Sequence, residues 1–184
     1  MVRFRPFIPA AALLLAGAAP RPAVTVFDLA DAVGRRAPVV TLNTLDGSPL
    51  LLGERGAKPT YVFLFASWCE PCRKSLPFVL DDYARYADRV RFVGVDVLEA
   101  DDVARAALAK ETFPFPVAIF GLAALDAVVP VETQVRAGLK YRIPTDFLID
   151  GSGVVRFAWH GLAFDDTGGA IDTLPGYLAK LGIQ

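Results

Sequence analysis

The chain has 184 residues, of which 54% are hydrophobic and 21% are charged, and its formal net charge is −1. This composition supports one globular domain with a sizeable core, and the near-neutral charge provides no electrostatic footprint for nucleic acid. Two cysteines exclude a disulfide scaffold, and two cysteines with one histidine exclude a closed zinc site built from Cys and His alone. The cysteines are therefore either central to function or of little importance.

Residues 1–23 have the order of a secretory signal peptide: a positive start, an apolar run and a small-residue end. The apolar run spans about 13 residues, fewer than the roughly 20 of a typical membrane-spanning helix. We expect cleavage after Ala19 or Ala23; an uncleaved N-terminal membrane anchor and a buried helix are the alternatives. Export would place residues 24–184, predicted to be one domain, outside the cytoplasm and in the periplasm, where disulfides persist.

The hydrophobic pattern of the remaining chain predicts an α/β domain with a mixed sheet. A hairpin comes first, because Asp46 and Gly47 lie between two apolar runs, 39–42 and 49–52. Residues 61–66 are apolar at every position, as in a central strand that is covered on both faces. The further predicted strands are 90–97, 117–120, 145–149 and 154–159. The predicted helices are 70–86, 101–110, 131–139 and 170–181.

Both cysteines lie in one motif, Cys69-Glu70-Pro71-Cys72, which follows a predicted buried strand and opens a predicted helix. The N–H groups and dipole of a helix N-terminus favour a thiolate at Cys69, and the thiolate is the nucleophile of thiol chemistry. Cys72, three residues later, can resolve a mixed disulfide by attacking the Cys69 sulfur. Pro71 suits an early helical position, and Trp68 is expected to pack beside the site and screen it. This context predicts redox chemistry.

Other roles for these residue types are weaker. A disulfide that closes so short a loop constrains the unfolded chain little, and metal binding through such a pair would need a second pair of cysteines. The single histidine, His160, is expected at the surface or in packing, with a copper site shared with the cysteines as the alternative. The adjacent acidic pairs 81–82, 101–102 and 165–166 are expected to be solvated, because neighbours on a helix do not face each other.

A second motif, Ile143-Pro144, directly precedes a predicted strand. Proline is tolerated at the first position of a strand, and this is the simplest interpretation. The alternative is a cis Ile143–Pro144 bond packed against the cysteine pair, which is uncommon among X–Pro bonds in folded proteins.

The order WCEPC after an apolar strand, followed by IPTDFLIDGSG, resembles the thioredoxin superfamily. The hairpin region also resembles that of its exported TlpA/ResA/CcmG-like branch, and the resemblance runs from about residue 37 to the C-terminus. It implies a thioredoxin fold with an N-terminal β-hairpin extension and an inserted βα unit, with a central mixed sheet flanked by helices. It also implies a cis Pro144 and pairing of the Ile143 backbone with an extended substrate segment.

From the motif and the resemblance we expect an extracytoplasmic thiol-disulfide oxidoreductase in which Cys69 attacks and Cys72 resolves, with no cofactor or metal. Its partners would be disulfide-bearing exported proteins, including apocytochrome c during cytochrome c maturation, and a membrane-linked thiol electron donor. The rival hypothesis is a non-catalytic thioredoxin-fold module that binds a partner or delivers copper. The candidate substrate-binding residues are Trp68, Glu70, Pro71, Ile143 and Pro144.

Two positions depart from the family pattern. Many members carry a Glu shortly after the second cysteine, where this chain has Ser75, and thioredoxins carry a buried Asp on the preceding strand, where it has Phe63. Deprotonation of Cys72 is therefore expected to rely on water or another carboxylate.

Charges around the motif bear on its redox potential. Glu70 should oppose a very low pKa of the Cys69 thiol by like-charge repulsion, and Arg73 and Lys74 should partly offset this effect. We expect a moderately reducing couple rather than a strong oxidant.

Overall fold

The structure is a computed structural model, which describes residues 32–121, 143–164, 167 and 169–184. The predicted signal segment 1–23, the following residues up to 31, the acidic pair 165–166 and the predicted helix 131–139 lie outside the described residues. Within the described residues, no helix combines the length and hydrophobicity needed to cross a bilayer.

The described residues form nine strands and three helices, and the predicted strands are all present to within about two residues. The strands are β1 (Val40–Thr44), β2 (Pro49–Leu52), β3 (Thr60–Phe65), β4 (Arg91–Val97), β5 (Val117–Phe120), β6 (Thr145–Ile149), β7 (Val155–His160), β8 (Ala163–Phe164) and β9 (Ala170–Ile171). The helices are α1 (Glu70–Tyr86), α2 (Asp101–Leu108) and α3 (Leu174–Lys180).

Seven of these strands form one sheet in the order β2-β1-β5-β4-β3-β6-β7. The sheet is mixed, as the sequence pattern predicts. β3, β4 and β5 run parallel, and the remaining neighbours pair antiparallel. The parallel steps need crossover connections, which α1 and α2 provide. The predicted βα insertion falls between α1 and Pro144, where the described residues hold β4, α2 and β5.

The predicted N-terminal hairpin is confirmed in β1 and β2. Among the hydrogen bonds that hold its turn, the Thr44 N–H donates to the Ser48 carbonyl at 2.9 Å, and the Ser48 N–H donates to Asp46 Oδ1 at 2.9 Å. Gly47 has a φ of +85°, which only glycine adopts without strain. The hairpin extends the sheet at one edge by pairing with β5.

The central strand β3 is buried on both faces, as its apolar run predicts. Tyr61, Phe63 and Phe65 pack on one face against both cysteines and against side chains of α1 and α3. Val62 packs on the other face with side chains of the hairpin and of β4. Full burial of side chains of this size stabilises the fold by about 1.5–3 kcal/mol each, which anchors the strand that carries the cysteine motif.

The last predicted helix, 170–181, is partly wrong. Residues 170–171 form β9, which pairs with β8, and the helix begins only at Leu174. Pro175 lies in the first turn of α3, the position at which proline fits a helix without losing a hydrogen bond. The prediction of a helix in this segment is therefore confirmed, but the proline sets the residue at which the helix begins.

Candidate functional site

The cysteine motif lies where β3 ends and α1 begins. Cys69 is the N-cap residue of α1, and the N–H of Cys72 donates to its sulfur at 3.2 Å. Pro71 occupies the first helical turn, and the N–H of Arg73 donates to the Cys69 carbonyl at 3.1 Å. This geometry directs the Cys72 N–H and the positive end of the helix dipole at the Cys69 sulfur, so a thiolate at this position would be stabilised.

The two cysteines are joined by a disulfide, with their Cα atoms 5.2 Å apart. Each cysteine is only 2% exposed, and both belong to the core cluster on the α1 face of the sheet. Trp68 differs from the expectation that it screens the site: it lies at the rim and is 59% exposed. The site is therefore open to a partner on the Trp68 side.

The second motif faces the first across a short gap. The Ile143–Pro144 peptide bond is cis, and the Ile143 carbonyl oxygen lies 3.7 Å from the Cys69 sulfur. Pro144 is buried and lies close to Gly161. A side chain at position 161 would crowd the proline, because its Cβ would lie 3.3 Å from the Pro144 Cγ. The structure thus brings the two sequence motifs, separated by about seventy residues, to one place.

A groove of about 580 Å³ runs between these motifs. Every predicted site residue except Cys72 lines it, and Cys72 is buried beside it. Its other lining residues, which sequence analysis did not assign to the site, are Lys74, Ser75, His160, Gly161 and Leu162.

His160 is exposed, as expected, but it also borders the groove, and its Nδ1 lies 2.9 Å from the Thr145 Oγ1. In the part of the chain that the structure describes, no three His, Cys, Asp or Glu side chains are placed to hold a metal ion.

The charged residues of the motif form an ion-pair group on the first turn of α1. The Arg73 guanidinium forms a salt bridge with the Glu70 carboxylate, and the Lys74 ammonium lies 3.9 Å from the same carboxylate. The hydrogen bond and the charge of Arg73 lower the pKa of Glu70. Glu70 is therefore ionised, and the two cations reduce the repulsion it exerts on a Cys69 thiolate, in the direction that the sequence predicts.

The two departures from the family pattern are visible in the structure. Phe63 is 2% exposed and fills its position with an aromatic ring. Ser75 is 5% exposed, and its hydroxyl donates to the Pro71 carbonyl at 3.2 Å within the helix. Neither side chain offers a carboxylate to Cys72.

Four carboxyl groups are buried that the sequence pattern did not predict to be so: Asp82, Asp96, Glu99 and Asp146. The expectation that the pair 81–82 is solvated is wrong for Asp82, which is 3% exposed and accepts from Arg85 at 2.7 Å. Neighbours on a helix point about 100° apart, so one member of an acidic pair can face the core while the other faces water. Asp96 and Asp146 could have been predicted to be buried, because each lies within an otherwise apolar predicted strand.

Two of these carboxyls support the loop before Cys69. The Glu99 oxygens accept from the Ser67 N–H at 2.6 Å and from the Ser67 hydroxyl at 2.8 Å. Asp96 is fully buried, and neither of its carboxyl oxygens has a hydrogen-bond partner among the described residues. Burial, and then the neighbouring Glu99, raise the pKa of Asp96 to about 8. Asp96 is therefore mostly protonated at neutral pH.

A third carboxyl lies on β6. Asp146 is 4% exposed, and its Oδ1 accepts from the Tyr61 hydroxyl at 2.5 Å. Burial raises the pKa of Asp146 to about 7, and the hydrogen bonds from Tyr61 and from the Gly161 N–H act in the opposite direction. This group can gain or lose a proton near neutral pH.

Comparison with known proteins gives consistent matches. The family described as Redoxin matches residues 32–161. Thiol-disulfide oxidoreductase ResA of Bacillus cereus is 27% identical over 124 residues, covering 67% of this chain and 66% of that protein. ResA of Geobacillus kaustophilus is 31% identical over 126 residues, covering 68% of this chain and 67% of that protein. This chain therefore spans slightly less than two thirds of the length of the first of these relatives.

Among solved structures, the thioredoxin domain of a thiol-disulfide oxidoreductase from Bacteroides vulgatus has a TM-score of 0.60 at 20% identity, covering 82% of this chain and 97% of that one. At this identity the likeness concerns the fold alone. The predicted thioredoxin fold, with its hairpin extension and mixed sheet flanked by helices, is confirmed.

Proposed function

This chain belongs to the Redoxin family, as a ResA-like member of the thioredoxin superfamily, and we propose that it is a thiol-disulfide oxidoreductase that reduces disulfides in exported proteins. One observation carries the proposal: a Cys69–Cys72 pair in the disulfide form caps a helix N-terminus and lies beside the Ile143 carbonyl. The names of the ResA relatives support the same activity.

The reaction uses the two sulfurs in turn. In the reduced protein, the Cys69 thiolate attacks one sulfur of a substrate disulfide, and the other substrate sulfur leaves as a thiolate and takes up a proton. Cys72 then loses its proton and attacks Cys69, which releases the second substrate thiol and closes the Cys69–Cys72 disulfide. Two electrons pass from the protein to the substrate, and the product is the oxidised form seen here.

The groove offers an extended substrate segment both apolar and backbone contacts. In this proposal a substrate N–H donates to the Ile143 carbonyl, which lies next to the Cys69 sulfur, and Pro144 forms part of the groove wall. Trp68, Glu70 and Pro71 border the same groove. Recognition by backbone pairing and apolar contact suits a protein with a net charge near zero.

The compartment and partners belong to the same proposal. The signal-like residues 1–23 would direct the chain to the periplasm, either free after cleavage or held by an N-terminal anchor. A membrane-linked thiol relay would then re-reduce the Cys69–Cys72 disulfide, and apocytochrome c is one substrate that fits this role. Fusing residues 1–23 to a reporter that is active only outside the cytoplasm tests the export step.

Insulin reduction by the purified dithiol protein tests the activity. We expect turnover by the wild type, none by Cys69→Ser, and a stable mixed disulfide with Cys72→Ser. Cys72→Ser expressed in its own compartment would then identify partners by trapping them. A wild type that is as inactive as Cys69→Ser on several disulfides, and that binds Cu(I) tightly, would establish the copper-delivery alternative instead.

A further inference from the structure

Position 63 lacks the usual proton acceptor, but a buried carboxyl group lies on the neighbouring strand, β6. In the antiparallel pairing of β3 with β6, the direct partner of Phe63 is Asp146. Directly opposed residues point to the same face, with Cβ atoms about 4.5–5.5 Å apart. Phe63 belongs to the core cluster that contains both cysteines. The Asp146 carboxyl therefore lies on the face of the sheet that Cys72 packs against, one strand away from the usual place.

The other three buried carboxyl groups have other partners or lie elsewhere in the fold. Asp82 accepts from Arg85, and it lies ten residues after Cys72 on α1, about 15 Å along the helix axis. Asp96 and Glu99 lie next to the loop that contains Ser67, and Glu99 accepts two hydrogen bonds from Ser67. Asp146 alone among the four is the cross-strand partner of position 63.

We propose that Asp146 supplies from β6 the buried carboxyl that β3 lacks, so that Asp146 takes up a proton when Cys72 gives one up. The inference rests on the proposed thiol-disulfide exchange. A Cys72 thiolate and an ionised Asp146 on the same face of the sheet would place two negative charges in the core, which is costly. Moving the proton from the sulfur to the carboxylate leaves the buried charge at −1 throughout. The Cys72 thiolate then attacks Cys69 of the mixed disulfide.

The surroundings of Asp146 suit a group that changes its protonation state. The Tyr61 hydroxyl and the Gly161 N–H both donate to its carboxyl and favour the ionised form, whereas burial favours the neutral form. The balance places the pKa of Asp146 at about 7.

Other charged and titratable groups face this pair from the elements packed against it. The charges of Asp82 and Asp172 act on the Tyr61 hydroxyl, whose pKa is raised, mainly by burial. Arg85 bonds both of these carboxylates and limits their effect. From β7 the direct neighbour of Asp146 is the apolar ring of Trp159.

The test measures the reactivity of Cys72 alone. In full-length protein carrying Cys69→Ser, the rate of alkylation of Cys72 by iodoacetamide is followed from pH 5 to pH 10. We expect the rate to rise with pH, to level off near pH 7 as Asp146 ionises, and to rise again. With Asp146→Asn added, the plateau disappears and alkylation at pH 8 becomes about two- to fivefold faster, because the opposing charge is gone.

Two further variants make the result specific. Tyr61→Phe removes one hydrogen bond to Asp146 while keeping the carboxyl, so the plateau should move to higher pH. Asp102→Asn is the control: it removes an exposed carboxyl of α2 and should leave the profile unchanged.

An identical profile in Asp146→Asn and its parent overturns the inference. If Asp146→Asn does not fold, an unshifted plateau in Tyr61→Phe overturns it equally. Either result in a protein whose wild type still reduces insulin leaves the proposed function standing, whereas an inactive wild type removes that function itself.

Discussion

Glu99 accepts two hydrogen bonds from Ser67, one from its N–H at 2.6 Å and one from its hydroxyl at 2.8 Å. Ser67 lies two residues before Cys69, in the loop that ends β3. A carboxylate buried at the end of β4 thus holds the loop that presents the attacking sulfur. Hydrogen bonds to a charged group are among the stronger ones in proteins, so this contact should matter for both stability and reactivity.

Glu99→Gln should weaken that loop. A glutamine keeps an acceptor oxygen for the Ser67 N–H, but its NH2 group can only donate, so the Ser67 hydroxyl must reverse its hydrogen bond and the negative charge that strengthens both bonds is lost. We expect the free energy of unfolding in urea to fall by about 1–3 kcal/mol. Insulin reduction should slow as well. Glu111→Gln, at an exposed position, is the control and should change neither; equal stability of the two variants would contradict the assigned role of Glu99.

Asp96→Asn should stabilise the protein at high pH but not at low pH. The pKa of Asp96 is about 8 in the folded chain, against an ordinary value of 3.8. Between these values the folded protein retains a proton that the unfolded chain has lost, so Asp96 lowers stability as pH rises from about 4 to 8. An asparagine supplies hydrogen-bond donors beside Glu99 without needing that proton.

Urea unfolding of both proteins at pH 4 and pH 8 checks this. We expect Asp96→Asn to be close to the wild type at pH 4 and to exceed it by up to about 5 kcal/mol at pH 8, because one pKa unit corresponds to about 1.4 kcal/mol. Asp102→Asn, at an exposed position, should follow the wild type at both pH values. A difference between Asp96→Asn and the wild type that is the same at pH 4 and pH 8 would refute the raised pKa.

Gly161→Ala should weaken substrate binding in the groove, and Gly47→Ala is the matched control. Both glycines have positive φ, +56° and +85°, and alanine at either should cost about 1–2 kcal/mol. Only at Gly161 would the new Cβ press on Pro144, at 3.3 Å from its Cγ, whereas nothing lies within 4 Å at Gly47. We expect the KM for a disulfide substrate to rise roughly threefold in Gly161→Ala alone. Equal KM values in the two variants would show that Pro144 does not shape substrate binding.

Glu70 and Arg73 should tune the redox potential in opposite directions. Glu70→Gln removes a negative charge near Cys69, stabilises the thiolate and so makes the couple more oxidising. Arg73→Gln leaves Glu70 without its closest cation and should make the couple more reducing. Each shift should be below about 30 mV, the equivalent of a tenfold change in the equilibrium constant, because these side chains are largely exposed.

Equilibration with glutathione measures these potentials. The wild type should lie nearer the value of thioredoxin, about −270 mV, than that of a strong oxidant such as DsbA, about −120 mV. A wild-type potential close to the second value, or shifts of the same sign in both variants, would refute the assigned effect of Glu70.

Local patterns were sufficient to predict most elements of the fold. Each predicted strand within the described residues is present, because alternation, apolar runs and the Asp46–Gly47 turn act over a few neighbouring residues. The predicted helix 170–181 included residues 170–171 because β9 forms only by pairing with β8, and the two strands have too few residues for a hydrophobic period. Element boundaries depend on such pairing and are less predictable than element types.

The sequence by itself determined the chemistry of the site: two cysteines at the spacing of a helical turn, after a buried strand and at a helix N-terminus, define a dithiol/disulfide pair. Only the tertiary structure decided what surrounds that pair. The register of β3 and β6 places Asp146 opposite Phe63, and the end of β4 brings Glu99 to Ser67. These contacts join residues 83 and 32 positions apart, and strand pairing, which is set by the packing of the whole sheet, is what brings them together.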